Sequence, residues 1–212
     1  MYLQLTTRCN MRCDHCGLNC SPDKGKHMDD WTFTKALELC SGYSETITFG
    51  GGEPTCHPRF KDYVQRALDY GFNVWMATNG KKKTSMWWLF DQIDLNEGKL
   101  SVDLSLDSFH ERIDPDVRAE FVRRKRCRYG SDANVLNVGR AKKNGIGTMD
   151  DCICETTFID PDGKVWQCGC QKVQIGTVWG VEFLDDYASC SEKADYNQRL
   201  LPASDYELQA SL

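Results

Sequence analysis

Cys9, Cys13 and Cys16 stand at C-x3-C-x2-C spacing in the run Cys9-Asn-Met-Arg-Cys13-Asp-His-Cys16. Thiolates this close along a tight loop converge on one metal centre, and soft sulfur ligands favour iron-sulfur clusters or zinc. Three ligands leave one metal position open. An open iron on a 4Fe-4S cluster is a place where a small molecule can bind and receive an electron. The alternative chemistry is a zinc knuckle completed by Cys20. A second group, Cys152 and Cys154 followed by Cys168 and Cys170, flanks the turn formers Asp160-Pro161-Asp162-Gly163. A β-hairpin of Thr156 to Ile159 with Lys164 to Gln167 returns the chain and brings the two pairs together. Four thiols there suit an iron-sulfur cluster or structural zinc, with Cys190 competing for a position.

The chain carries twelve cysteines in 212 residues, and their clustering favours metal ligation over a disulfide framework. With 41% hydrophobic and 27% charged residues, one domain of ordinary core size with a small appendage is expected. A net charge of −5 gives no general attraction to nucleic acid, so a nucleic-acid partner is not expected. No apolar run approaches a membrane span, and Met1 leads straight into a candidate strand without a charged leader and apolar signal segment. No membrane partner and a cytoplasmic location follow as expectations.

The elements that must position these cysteines alternate. Tyr2 to Thr7, Thr46 to Phe49, Phe72 to Ala77 and Leu100 to Leu106 read as strands, with Val135 to Val138 as a fifth. Between them, a helix capped by Asp30 or Thr32 stops at Gly42, and one starting at Pro58 carries the stripe Phe60, Tyr63, Val64, Ala67 and Leu68 to Gly71. Further helices run through Trp87, Trp88 and Phe90 and from Pro115 to about Arg126. This βαβ alternation predicts an α/β fold on a parallel sheet with functional groups at the C-terminal ends of the strands. There lie the cysteine loop, Gly51-Gly52-Glu53, Thr78-Asn79-Gly80 and the pair Ser105 and Asp107.

The cysteine loop and Gly51-Gly52-Glu53 after the second strand together resemble the radical S-adenosylmethionine (SAM) family over residues 1–150, with His15 at the family's usual aromatic position. The resemblance implies a partial (β/α)6 TIM-type barrel with a 4Fe-4S cluster on Cys9, Cys13 and Cys16. It further implies SAM chelating the open iron, with its amino group held at Gly51, Gly52 and Glu53. An electron from a reductase or a flavodoxin-type donor then cleaves SAM to a 5′-deoxyadenosyl radical, which abstracts hydrogen from the substrate. Ser105 and Asp107, two apart on one strand, can hydrogen-bond ribose hydroxyls, as can Asn79. Asn137 belongs to Val135-Leu136-Asn137-Val138-Gly139, which resembles the segment beside adenine.

The spacing of Cys152, Gly163 and Cys168 resembles the opening of the auxiliary modules called SPASM and twitch, here truncated to one centre, a second iron-sulfur cluster or zinc. The expected division is a core over 1–150, an auxiliary metal-binding module over 151–190 and a tail over 191–212. Such modules go with enzymes that modify peptides or proteins, so a peptide or protein substrate is expected first and a small molecule, a nucleoside or sugar, second. From a different class, the chain could be a non-catalytic zinc-binding module. The basic runs Lys81-Lys82-Lys83 and Arg123-Arg124-Lys125-Arg126 with Arg128 read as solvated faces, and Trp31, Trp87 and Trp88 as core or barrel-covering residues. Cys40 reads as a buried apolar group.

Overall fold

A computed structural model describes residues 1–130, 135–149 and 156–181. Cys152 and Cys154, Cys190 and the expected tail lie outside the described residues. One sheet carries the strands β1 (Tyr2–Thr6), β2 (Thr46–Gly51), β3 (Asn73–Thr78), β4 (Leu100–Leu106), β5 (Cys127–Tyr129), β6 (Phe158–Ile159), β7 (Lys164–Trp166), β8 (Gln174–Thr177) and β9 (Gly180–Val181). Their spatial order is β5-β4-β3-β2-β1-β6-β7-β8-β9. β1 to β5 are mutually parallel, and β6 joins the free edge of β1, also parallel, through Tyr2 opposite Phe158 and Leu3 opposite Ile159. From there the sheet turns antiparallel. The expected α/β open barrel is present, and the hairpin extends its sheet.

Alternation along the strands divides the sheet's two faces. Leu3, Leu5, Ile47, Phe49, Val74, Met76, Val102 and Leu104 are at most 1% exposed. Helices α1 (Asp30–Ser41), α2 (Phe60–Asp69), α3 (Lys83–Leu95) and α4 (Pro115–Arg123) cover this face with Phe33, Leu37, Tyr63, Val64, Met86, Phe90 and Phe121. The α2 stripe is the expected one, every member buried. The other face carries Tyr2, Gln4, Trp75, Asp103, Ser105 and Arg128 and forms the barrel interior. Because β1 to β4 are parallel, the loops that follow them all open at one rim.

Several boundaries differ from expectation for local reasons. Asp29 caps α1, its carboxylate accepting from Thr32 N at 2.7 Å, which leaves Asp30 free to pair with Arg59 and Arg66. The fifth strand is Cys127–Tyr129; Val135 to Val138 forms a loop joined to Thr148 by a single bridge at Leu136. Helix α4 stops at Arg123 because Lys125 takes a left-handed conformation (φ 55°) and turns the basic run into β5. Trp31 and Trp87 are 61% and 42% exposed, Trp87 meeting the core only edge-on at Phe90, while Trp88 is partly buried against it. Cys40 is buried in the core, as expected.

The hairpin turn is built on Asp160. Its Oδ1 accepts from Asp162 N (2.9 Å) and Lys164 N (3.0 Å), and its Oδ2 from Trp166 Nε1 (2.9 Å). No helix among the described residues is long and apolar enough to cross a membrane.

Candidate functional site

The chain leaves β1 at Thr6 and folds back along it. Thr7 N donates to Lys26 O (2.9 Å), Cys9 N to Ser21 O (3.1 Å) and Met28 N to Leu5 O (2.9 Å). The cysteine loop is therefore anchored at both ends to the rim. It presents Cys9, Cys13 and Cys16, all half-buried, to a cavity of about 240 Å³ that Gly51, Gly52, Glu53, Asn79 and Ser105 also line. Eight of the residues singled out in the sequence thus meet in one space.

The glycine turn is glycine because the cysteine loop crosses it. A methyl group on Gly52 would lie 2.1 Å from Arg8 O and 2.9 Å from Cys9 N. On Gly51, whose φ is +136°, it would lie 2.2 Å from Thr6 O. The close approach is sealed by Gly52 N donating to Thr6 O (2.7 Å) and Glu53 N to Arg8 O (3.0 Å).

Glu53 is 1% exposed. Its Oε1 accepts from Thr55 N (3.2 Å), Thr55 Oγ1 (2.7 Å) and Thr78 Oγ1 (2.9 Å), and its Oε2 from Asn79 N (2.9 Å). Burial raises its pKa, opposed by these donors. The carboxylate thereby ties the end of β2 to the end of β3. Asn79 continues the chain of contacts, its Nδ2 donating to Asn10 Oδ1 (2.8 Å) and approaching Cys9 Sγ (3.7 Å).

Burial pushes the Cys9 thiol up to about 11 and the Cys13 thiol up to about 12. Cys16 is pulled down to about 5, first by a hydrogen bond from the Cys20 side chain and further by the Cys20 N–H at 3.3 Å. Three thiols facing one cavity are a donor set suited to an iron-sulfur cluster with one open iron.

Two supports had no sequence signal. Arg140, 8% exposed, reaches from helix α5 (Gly139–Lys143) to donate to Cys13 O (2.8 Å) and Cys20 O (2.5 Å), while its backbone N–H donates to Cys16 O (2.9 Å). His110 contacts Asp107 through Nδ1 at 2.7 Å, and Phe109 N and His110 N donate to the same carboxylate oxygen. The planar guanidinium of Arg140 reaches both carbonyls at once, and nothing in the local sequence marks either residue. Arg140→Ala would leave the buried Cys20 carbonyl without its donor, about 1–3 kcal/mol, and Cys13 O with only the Cys16 N–H. The expected result is a lower melting temperature together with faster loss of iron from the reconstituted protein; an unchanged iron off-rate would show that the brace is dispensable.

The remaining expected site residues are placed as follows. Ser105 lines the cysteine cavity, whereas Asp107 lies just beyond the end of β4 and lines the cavities beside it. Asn137 turns away toward residues 146–148, donating through Nδ2 to Ile146 O (2.8 Å) and through N to Thr148 O (2.9 Å). Its neighbours Val135, Leu136 and Val138 line a second cavity of about 670 Å³, shared with Tyr2, His15 and Arg128. Cys168 and Cys170, with sulfurs 2.9 Å apart, open onto the same cavity.

The family model described as "Radical SAM superfamily" matches residues 3–159. A tungsten-containing aldehyde ferredoxin oxidoreductase cofactor-modifying protein of Pyrococcus furiosus is 38% identical over 107 residues, which are 49% of this chain and 28% of that protein. An S-adenosylmethionine-dependent nucleotide dehydratase of a Thermoplasmatales archaeon is 30% identical over 142 residues, 66% of this chain and 46% of that protein. The chain thus spans less than half the length of these two relatives. Among solved structures, Streptococcus suis SuiB bound to precursor peptide SuiA superposes with a TM-score of 0.54 at 13% identity, covering 80% of this chain and 59% of that one. Native anSMEcpe with bound AdoMet and Cp18Cys peptide gives 0.53 at 14% identity, covering 92% and 81%. These two likenesses bear on the fold.

Proposed function

Since this chain belongs to the radical SAM superfamily, we propose that it is an enzyme of that chemistry, with Cys9, Cys13 and Cys16 holding a 4Fe-4S cluster and SAM bound in the same cavity. The family implies both groups, and the observation that carries the assignment is the seating of the C-x3-C-x2-C loop on Gly51-Gly52-Glu53 at one rim. When bound, the cluster and SAM supply a one-electron cleavage yielding a 5′-deoxyadenosyl radical that takes a hydrogen atom from a substrate. The protein's own part is to bind, orient and exclude water. Gly51 and Gly52 set the height of the cysteine loop, and Glu53 and Asn79 lock β2, β3 and Cys9 in register. The Ser105 hydroxyl, without a hydrogen-bond partner among the described residues, is available to a ribose hydroxyl. Asp107 and Asn137 act one step removed, shaping the walls beside it. Cys168 and Cys170 fit a second iron-sulfur cluster or zinc, completed by Cys152 and Cys154.

For the substrate, relatives at 30–38% identity are named for acting on a nucleotide or on another protein's cofactor, and others at 31–33% are named GTP 3′,8-cyclase or probable GTP 3′,8-cyclase. Peptides accompany the fold only at 13–14% identity. The small-molecule reading, in the nucleotide class, is therefore preferred here over the peptide expected from the hairpin cysteines. A reductase or flavodoxin-type protein would supply the electron.

The test is anaerobic reconstitution with iron, sulfide, reductant and SAM, followed by quantification of 5′-deoxyadenosine without added substrate. Slow release is expected, and its absence in protein with full iron would overturn the assignment. Glu53→Ala is expected to weaken SAM binding by about 1.5–3 kcal/mol, because a charge-assisted network that sets the turn is lost. Unchanged SAM affinity would remove the turn from the SAM site.

A further inference from the structure

The basic run of residues 123 to 128 is divided by the fold into two unlike parts. Arg123 and Arg124 pair with Glu120 on the surface of α4, and Arg124 also with Asp94. Past the left-handed Lys125, Arg126 and Arg128 instead flank Cys127, whose side chain packs against the core, so both arginines lie on the inner face of the sheet, Arg128 remaining solvent-exposed on its edge strand. There Arg128 lies over the ring of Trp75, 5.1 Å from its centroid. The ring is held in place by Trp75 Nε1 donating to Asp103 Oδ2 at 2.9 Å. The charge of Asp103 is met by this donor and by Arg126 at 3.9 Å. Arg128 therefore has an aromatic platform but, among the described residues, no carboxylate within ion-pairing distance.

Its position is equally particular. Arg128 stands opposite Ser105 in the β4–β5 register and lines both the cavity of the cysteine loop and the adjoining one of about 670 Å³. A guanidinium stacked by its face keeps its N–H edge free, and that planar fork matches the oxygens of a phosphate. Arg128 is exposed in the free protein, and a ligand that covers it in the cavity must bring the counter-charge or leave a desolvated cation unpaired.

We propose that Arg128, stacked on Trp75 at the open edge of the barrel cavity, holds a phosphate of the substrate, with Ser105 beside it and the cysteine loop facing it across the shared cavity. This rests on the nucleotide-class reading above and names the residue that selects for it.

The experiment uses the anaerobically reconstituted protein saturated with SAM, so that the adenosyl site is already filled. Calorimetric titrations compare GTP and CTP with guanosine and cytidine, and with a heptapeptide of glutamates. At least one triphosphate is expected to bind, and its nucleoside to bind about tenfold more weakly or worse. R128Q should weaken the triphosphate by a similar factor, R128K should recover part of it, and SAM affinity should stay the same. A merely structural role would lower both affinities together. Equal triphosphate affinity in R128Q, no binding of either triphosphate, or Arg128-dependent binding of the acidic peptide alone would each overturn the proposal. Release of 5′-deoxyadenosine by the unsubstituted protein without nucleotide is measured separately, so failure of the family chemistry is read apart from failure of the phosphate site.

Discussion

Replacing Cys9, Cys13 and Cys16 together by Ala is expected to abolish 5′-deoxyadenosine release, down to the level of SAM and reductant alone. The three sulfurs are the donors the 240 Å³ cavity presents for a cluster, and among the described residues no other cysteine is placed to take over. Cys20 lines the cavity but is buried, its backbone N–H and thiol engaged with Cys16 and Leu18. Cys56 lies beyond the glycine turn and does not line that cavity. The fold should survive, because the loop's anchors to β1 run through backbone groups of Thr7, Cys9 and Met28 and need no thiol. Continued SAM cleavage by the triple variant would refute the cluster assignment. Iron and sulfide counts on the same variant also report on the second centre. Residual iron with sulfide would place a cluster at the hairpin cysteines, and stoichiometric zinc without sulfide would leave them a structural role.

Gly52→Ala is expected to have the next largest effect, although it removes no functional group. The new methyl would meet Arg8 O at 2.1 Å and Cys9 N at 2.9 Å, both backbone atoms that cannot rotate away. Either the cysteine loop lifts from the turn or the end of β2 shifts, and both break the hydrogen bonds from Gly52 N and Glu53 N to the loop. Overpacking of this kind costs about 1–3 kcal/mol of stability. Because Cys9 is the displaced residue, the expected loss is also of cluster: iron retained after desalting should fall severalfold. Gly71→Ala is the control. Gly71 has φ +104° with nothing within 4 Å of the added methyl, so it carries backbone strain of about 1–3 kcal/mol without touching the site. Equal iron loss in both variants would mean that general destabilisation, not displacement of the loop, is responsible.

Much of the site was legible in the chain because its chemistry is local. The proposed ligands Cys9, Cys13 and Cys16 lie within one loop, so spacing alone brings them together, and Gly51-Gly52-Glu53 is a contiguous turn at the end of an apolar strand. The α2 stripe and the Asp160 turn follow from periodicity and from side chains bonding to backbone a few residues away. What the glycines approach was not legible. Spacing shows that the backbone must come close to something, and the folded chain shows that it is the backbone of Thr6 to Cys9.

Tertiary structure decided everything that depends on which strands become neighbours. Arg140 braces Cys13 from 127 residues away, and no local pattern records a contact formed only when α5 packs under the cysteine loop. The basic run looked uniform in sequence. A left-handed turn at Lys125 separates Arg124, paired with carboxylates at the end of α4, from Arg128, which stacks on Trp75 on the inner face of the sheet. The fifth strand was misplaced for the same reason: Cys127 to Tyr129 is too short to show a period, and it is a strand because the edge of β4 offers unpaired backbone groups. The hairpin joins β1 rather than standing apart because β1 had a free edge too. Sheet edges are satisfied by whatever backbone the whole fold brings to them, and that choice has no signature along the chain.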